Sequence, residues 1–255
     1  MEQFKSYLES SQLVETTIKN HIRNLSKIDL ELLNGDECAL IHYVQEHYTI
    51  GSQQKTIITS ISKYRNYKNL PREKLMTLLT KANNDSTKIQ QKKNDERIIP
   101  DINDVKSLMD AYYKKGMWRE YVVMYLLIHL QTRNLDLVAT VTHDKGELDN
   151  ETNWLYVRKN DIVFIRNKYK TKSCYGSKKD VIVNKKFYHA VGSLPELLRP
   201  NENLHRSIGK ITGNISETTM MKLSVSENNN VNGLVKIAKN RGTSLDLIST
   251  NYNCT

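Results

Sequence analysis

Between Lys81 and Arg97 the chain reads KANNDSTKIQQKKNDER, a stretch with no hydrophobic period. A segment with no apolar stripe has nothing to bury, so it reads as an exposed linker that divides the 255 residues into two folding parts. The expected organisation is a helical domain over 1–80, a linker over 81–97 and a second domain over 98–255. Hydrophobic residues make up 38% and charged residues 26%. That still leaves enough Leu, Ile and Val for two packed cores.

Lys and Arg number 38 against 28 Asp and Glu, a formal net charge of +10. Such a balance bears on partners rather than fold, and it favours a polyanion. The cysteines Cys38, Cys174 and Cys254 are far apart and odd in number, which suits a reducing, intracellular compartment. MEQFKSYLES lacks the basic-then-apolar run of a signal peptide, and the longest apolar run, Tyr121–Leu130, is too short to span a bilayer. The seven histidines are scattered, with no cysteine partner at metal-ligand spacing, so neither a metal nor a cofactor is expected. The acidic stretch Asp144, Glu147, Asp149 and Glu151 lacks the order of a calcium loop and reads as a solvated turn.

In the first part Ile18, Ile22, Leu25 and Ile28 recur at spacings of four, three and three, which puts them on one helical face. Lys19 and Arg23 fall on another face. A second helix spans roughly Glu37–His47, and a third runs from Gln53 to Asn66 with Ser52 as its N-cap. Ile57, Ile61 and Tyr64 form the third helix's stripe, and Lys55, Lys63, Arg65 and Lys68 decorate the rest. Two basic helices in one small lobe make these six cations candidate DNA contacts.

The second part opens with a helix after Pro100-Asp101, and Tyr121–Leu130 must be a buried helix. Trp154–Val157, Asp161–Ile165 and Val181–Val183 are strand-like, with a loop over Lys170–Lys179 that adds Lys172 and Lys178 to the candidate DNA contacts. Helical pattern returns over Lys186–Leu198 and Thr218–Ile248, broken at Asn228-Asn229-Asn230 and Arg241-Gly242. The expected class is mainly α with a small antiparallel β-sheet.

This order resembles the tyrosine recombinase (phage integrase) family over nearly the whole chain. VETTIKNHIRNL and GSQQKTIITSISKYRNYKNL look like its helical core-binding domain. The segment IIPDINDVKSLMDAYYKKGMWREYVVMYLLIHLQTRNLDLVAT looks like the entry to its catalytic domain, with Arg133-Asn134-Leu135-Asp136-Leu137 in place of the family's Arg-x-x-Glu/Asp-Leu. The resemblance implies a two-domain clamp on double-stranded DNA, self-assembly on that DNA being left open. It also implies a location where DNA is, in cytoplasm, nucleus or nucleoid, or packaged with viral or mobile-element DNA.

By the same resemblance a tyrosine oxygen attacks a phosphodiester, leaving a 3′-phosphotyrosine and a free 5′-hydroxyl, without a metal. Fixed cations suit that chemistry, because a guanidinium fork binds phosphate oxygens and never deprotonates. Arg133 is similar to the family's first arginine, Lys170 to its hairpin lysine with Lys172 as nearest rival, and Tyr252 to its nucleophile. Three departures stand out. Leu130 and Gln131 replace the Thr-Gly before the arginine. The second box, His-x-x-Arg, is matched by Thr219-Met220-Met221-Lys222. Arg241, Gly242 and Thr243 stand where a His or Trp belongs, and Arg241 is the cation that would compensate.

Three readings follow: a recombinase that cleaves and rejoins DNA, a recombinase-derived protein that packages, condenses or scaffolds DNA, and an unrelated basic adaptor for protein or RNA.

Overall fold

The structure, a computed structural model, describes residues 1–11, 13–95, 100–200 and 202–252. The last two residues of the expected linker, 96 and 97, and Cys254 lie outside this set. The chain divides into two compact units, Met1–Ile98 and Ile99–Thr255. It is mainly helical with one small sheet.

The first unit comprises α1 (Glu2–Ser10), α2 (Glu15–Leu25), α3 (Leu30–Asn34), α4 (Glu37–His47), α5 (Ser52–Tyr67) and α6 (Glu73–Asp95). Helix starts follow local chemistry. The Asp29 carboxylate accepts from the Glu31 N–H at 2.7 Å, and that of Asp36 from the Ala39 N–H at 3.0 Å. Ser52 is the first residue of α5, not its cap; Gly51 takes that place at φ 101°, where a side chain would be strained. Phe4, Leu8, Ile18, Leu25, Leu33, Leu40, Val44, Ile57, Ile58, Ile61 and Leu75 form one core. Each such side chain contributes about 1.5–3 kcal/mol relative to exposure.

The stretch read as a linker is helical through Asp95. Leu75, Leu78 and Ala82 anchor the first turns of α6 in the core, and the polar remainder continues the helix with most of its side chains exposed or half-buried. A solvated helix face needs no apolar stripe, which is why no period marked it.

In the second unit α7 (Ile102–Lys114) is capped by Asp101, whose carboxylate accepts from the Asn103 N–H at 2.8 Å. Next come α8 (Trp118–His129), a 3-10 turn at Asn134–Leu137, β1 (Ala139–Thr142), β2 (Asn153–Val157), β3 (Ile162–Arg166), α9 (Lys172–Tyr175) and β4 (Lys178–Ile182). The chain continues through α10 (Lys185–Gly192), α11 (Leu204–Ile211), α12 (Glu217–Glu227), α13 (Val231–Arg241) and α14 (Leu245–Tyr252). Helix α8 is buried from Tyr121 to Ile128 except at Tyr125, and it packs with α7, α10 and α12.

The sheet order is β1-β2-β3-β4. It is four-stranded and mixed, not three-stranded and antiparallel: β1 runs parallel to β2, and the β2–β3 and β3–β4 pairs are antiparallel. Period-2 alternation sends Leu155, Val157, Ile162 and Phe164 into the main core. Trp154, Val163 and Ile165 form a small cluster of their own.

Candidate active site

After α8 the backbone turns through Gln131 at φ 48°, a left-handed conformation that costs a side-chain-bearing residue about 1–2 kcal/mol. This is the position where the resemblance calls for glycine. The side chain helps hold the turn: its Nε2 donates to the Ile128 carbonyl at 2.6 Å, and its Oε1 accepts from Asn240 at 2.9 Å. The turn delivers Arg133, whose N–H donates to the Asp136 carboxylate at 3.1 Å.

Arg133 and Arg241 meet across 108 residues of sequence, Arg133 Nη1 donating to the Arg241 carbonyl at 2.7 Å. Arg241 is buried at the end of α13. Its Nη1 donates to the Gln131 carbonyl at 3.1 Å, and its Nη2 pairs with the Glu217 carboxylate. The other Glu217 oxygen accepts from the Asn134 N–H at 2.9 Å. The Arg241 guanidinium carbon lies 5.6 Å from the centre of the Tyr252 ring, within cation–π range. Tyr252 also packs against the cluster of Met221, Val225, Ile237, Ala238 and Ile248. Burial, and then the neighbouring Arg241 charge, push the Arg133 pKa down, while Asp136, Glu217 and Tyr252 oppose the shift.

The β3–β4 loop reaches the same place. The Thr171 hydroxyl donates to the Gly242 carbonyl at 2.7 Å, and Lys178 Nζ donates to the Lys239 carbonyl. Gly242 ends α13 in the left-handed region at φ 63°, and a Cβ there would stand 3.0 Å from Lys178 Nζ and 3.1 Å from Thr171 Oγ1. Burial, followed by repulsion from Arg166, lowers the Lys178 pKa; Arg133 adds to the effect and Asp180 opposes it. Beneath lies Arg166, fully buried and paired with Asp136 at 3.5 Å and Asp180 at 2.6 Å. Desolvation raises the Asp136 pKa despite that partner.

Arg133, Arg241 and Tyr252 are therefore brought together, and Lys178 joins them. Lys170 is exposed in the loop next to Thr171, and Lys172 turns away to donate to the Asn150 carbonyl at 2.8 Å. Lys222 is 4% exposed on α12, and its ammonium has no hydrogen bond or ion pair among the described residues. Sequence reasoning missed Gln131, Glu217, Asn240 and Thr171. Only Gln131 carried a signal, since it stands where the resembled family has glycine.

In the first unit Lys19, Arg23, Lys55 and Lys68 are exposed, and Lys63 is half-buried. Lys19 pairs with Glu15 at 2.6 Å, and Arg23 donates to Asn20 at 3.1 Å. Arg65 corrects the expectation of a surface cation. It is 2% exposed, and its guanidinium donates to the carbonyls of Pro71 at 2.7 Å and of Leu33 and Gly35 at 3.0 Å each. A guanidinium occupied in this way is not available to a phosphate.

Among the described residues no helix is long and apolar enough to cross a membrane, and no group of His, Cys, Asp and Glu is placed to hold a metal ion. No family model and no curated protein matches the chain. Among solved structures, the crystal structure of XerA recombinase aligns with 100% of this chain and 92% of its own, at 13% identity and a TM-score of 0.39.

Proposed function

We propose that the chain is a DNA-binding protein of the tyrosine recombinase type, cleaving and rejoining a strand of double-stranded DNA through a 3′-phosphotyrosine. The observation that carries this reading is the meeting of Arg133, Arg241 and Tyr252, which arrive from the α8 turn, the end of α13 and the end of α14. Two guanidinium groups beside a phenol suit a phosphodiester in particular. The cations neutralise its non-bridging oxygens, and the phenol, with an ordinary pKa of about 10, needs such a neighbourhood to act as a nucleophile.

In this reading the Tyr252 oxygen forms a bond to phosphorus, the bond to the 5′-oxygen breaks and the phenolic proton passes to solvent. The leaving oxygen takes a proton from a lysine. Lys178 fits that role, because its Nζ lies at the Gly242 turn that follows Arg241 and burial lowers its pKa, which makes its ammonium a better proton donor. Lys222 supplies a further cation on α12. The exposed Lys19, Arg23, Lys55 and Lys68 and the half-buried Lys63 would contact phosphates from the first unit. Such contacts position the protein and carry no sequence information.

Incubation with a nicked duplex followed by denaturation is expected to leave protein covalently attached to DNA, and Tyr252→Phe is expected to abolish that adduct while retaining binding.

A second reading, a recombinase-derived protein that packages, condenses or scaffolds DNA without efficient cleavage, is favoured by Thr219. Its hydroxyl lies 2.9 Å from the Ser216 hydroxyl that caps α12, and a threonine, unlike a histidine, has no group that titrates near neutral pH to act as acid or base. Tight DNA binding by the wild-type chain, with no adduct across varied sequences, would select it.

A further inference from the structure

The carboxylate of Glu217 binds two donors of the kind that hold phosphates, a guanidinium and a backbone N–H. One oxygen is on Arg241 Nη2, the other on the Asn134 N–H at 2.9 Å. The charges around it sort into two layers. Arg166 is fully buried and is paired with both Asp136 and Asp180, so that cation is already answered inside the fold. Arg133, Arg241 and Lys178 remain for an outside anion, and Glu217 is the carboxylate already on Arg241 and near enough to Arg133 to oppose its pKa shift.

We infer that Glu217 is an internal occupant of the phosphate seat, a carboxylate that DNA must displace from Arg241 and that therefore sets the affinity of the site. This rests on the phosphate-binding reading above. Displacement is open to it physically. The Glu217 side chain is 22% exposed, against 7% for Arg241, so the carboxylate is the member of the pair that solvent reaches. It also borders a solvent-open hollow of about 460 Å³ whose walls carry His205, Arg206 and Lys210. A carboxylate leaving Arg241 in that direction stays near positive charge.

The test measures binding of the full-length chain to a fluorescent, nicked, mixed-sequence duplex, alongside thermal melting. Glu217→Gln keeps the size and one acceptor oxygen but removes the charge. It is expected to melt lower, because Arg241 loses its ion pair, and yet to bind DNA about tenfold tighter at low salt. A residue that merely supports the fold would lose stability and affinity together.

Glu227→Gln, on the far end of α12 where Glu227 pairs with Lys106, makes the same change in net charge. It is expected to leave affinity nearly unchanged, and equal tightening by both variants would overturn the inference as a long-range charge effect. Unchanged or weaker binding by Glu217→Gln, with Arg133→Ala weakened, would overturn it and leave the phosphate reading standing. Binding that is indifferent to Arg133→Ala would remove both. Should Glu217→Gln fail to fold, the wild-type chain still decides. The Arg241 guanidinium resonance is expected to shift when DNA is added, and a resonance that stays put would overturn the inference.

Discussion

His21 is buried on α2 with Nδ1 2.9 Å from the Ser60 hydroxyl on α5, and burial, followed by the nearby Lys63 charge, holds its pKa below 6.5. The folded chain therefore binds this proton less readily than the unfolded chain. His21 contributes stability that is fully present above about 6.5 and is lost as pH falls from there through the folded value. Denaturant midpoints are expected to decline over that acid window, and His21→Gln is expected to flatten the decline; an unchanged slope would remove His21 as its cause. Arg65 shows what sequence concealed at this scale. It stands in the basic run Lys63–Lys68 and resembles its neighbours in charge, yet it lies four residues after Ile61 on the buried side of α5. That spacing was the available signal. The carbonyls it satisfies, at Leu33, Gly35 and Pro71, belong to other segments that no local pattern reveals.

Helix ends decide how the site is assembled. Gly242 closes α13 in a conformation that favours glycine, and its missing Cβ is what lets Lys178 and Thr171 approach. Gly242→Ala is expected to destabilise the chain by about 1–2 kcal/mol from the left-handed backbone alone, with more from the crowding. Melting temperature and adduct yield are expected to fall together, and a variant as stable as wild type would show that the turn relaxes freely. Helices with a strong apolar stripe were legible: α4 spans the residues expected from periodicity, and α5 and the buried α8 fall close to expectation. Strand β1 was not, because its four residues ATVT pair in parallel with a strand beginning at Asn153. The β3–β4 segment was legible only as a stretch rich in lysines. Which of them faces the arginines depends on the approach of Gly242.

At the scale of the molecule the excess of positive charge is a statement about association, and it is measured through salt. Each phosphate neutralised releases counterions, so the logarithm of the DNA association constant falls against the logarithm of salt with a slope of about 0.9 per contact. Lys55→Ala and Lys68→Ala, at exposed positions of the first unit, are each expected to reduce that slope by about one while leaving melting unchanged. A slope that neither variant moves would take the first unit out of the phosphate contacts. In the second unit the two arginines differ in a way that matters for dissection. Arg133 grips the main chain at position 241, not the side chain, so truncating Arg241 leaves the anchor of the other guanidinium in place. The Arg241 side chain nevertheless holds the Gln131 carbonyl and, through Glu217, the turn at Asn134, so a double-mutant cycle on the two charges is read beside melting, which separates lost cooperation on an anion from a loosened turn.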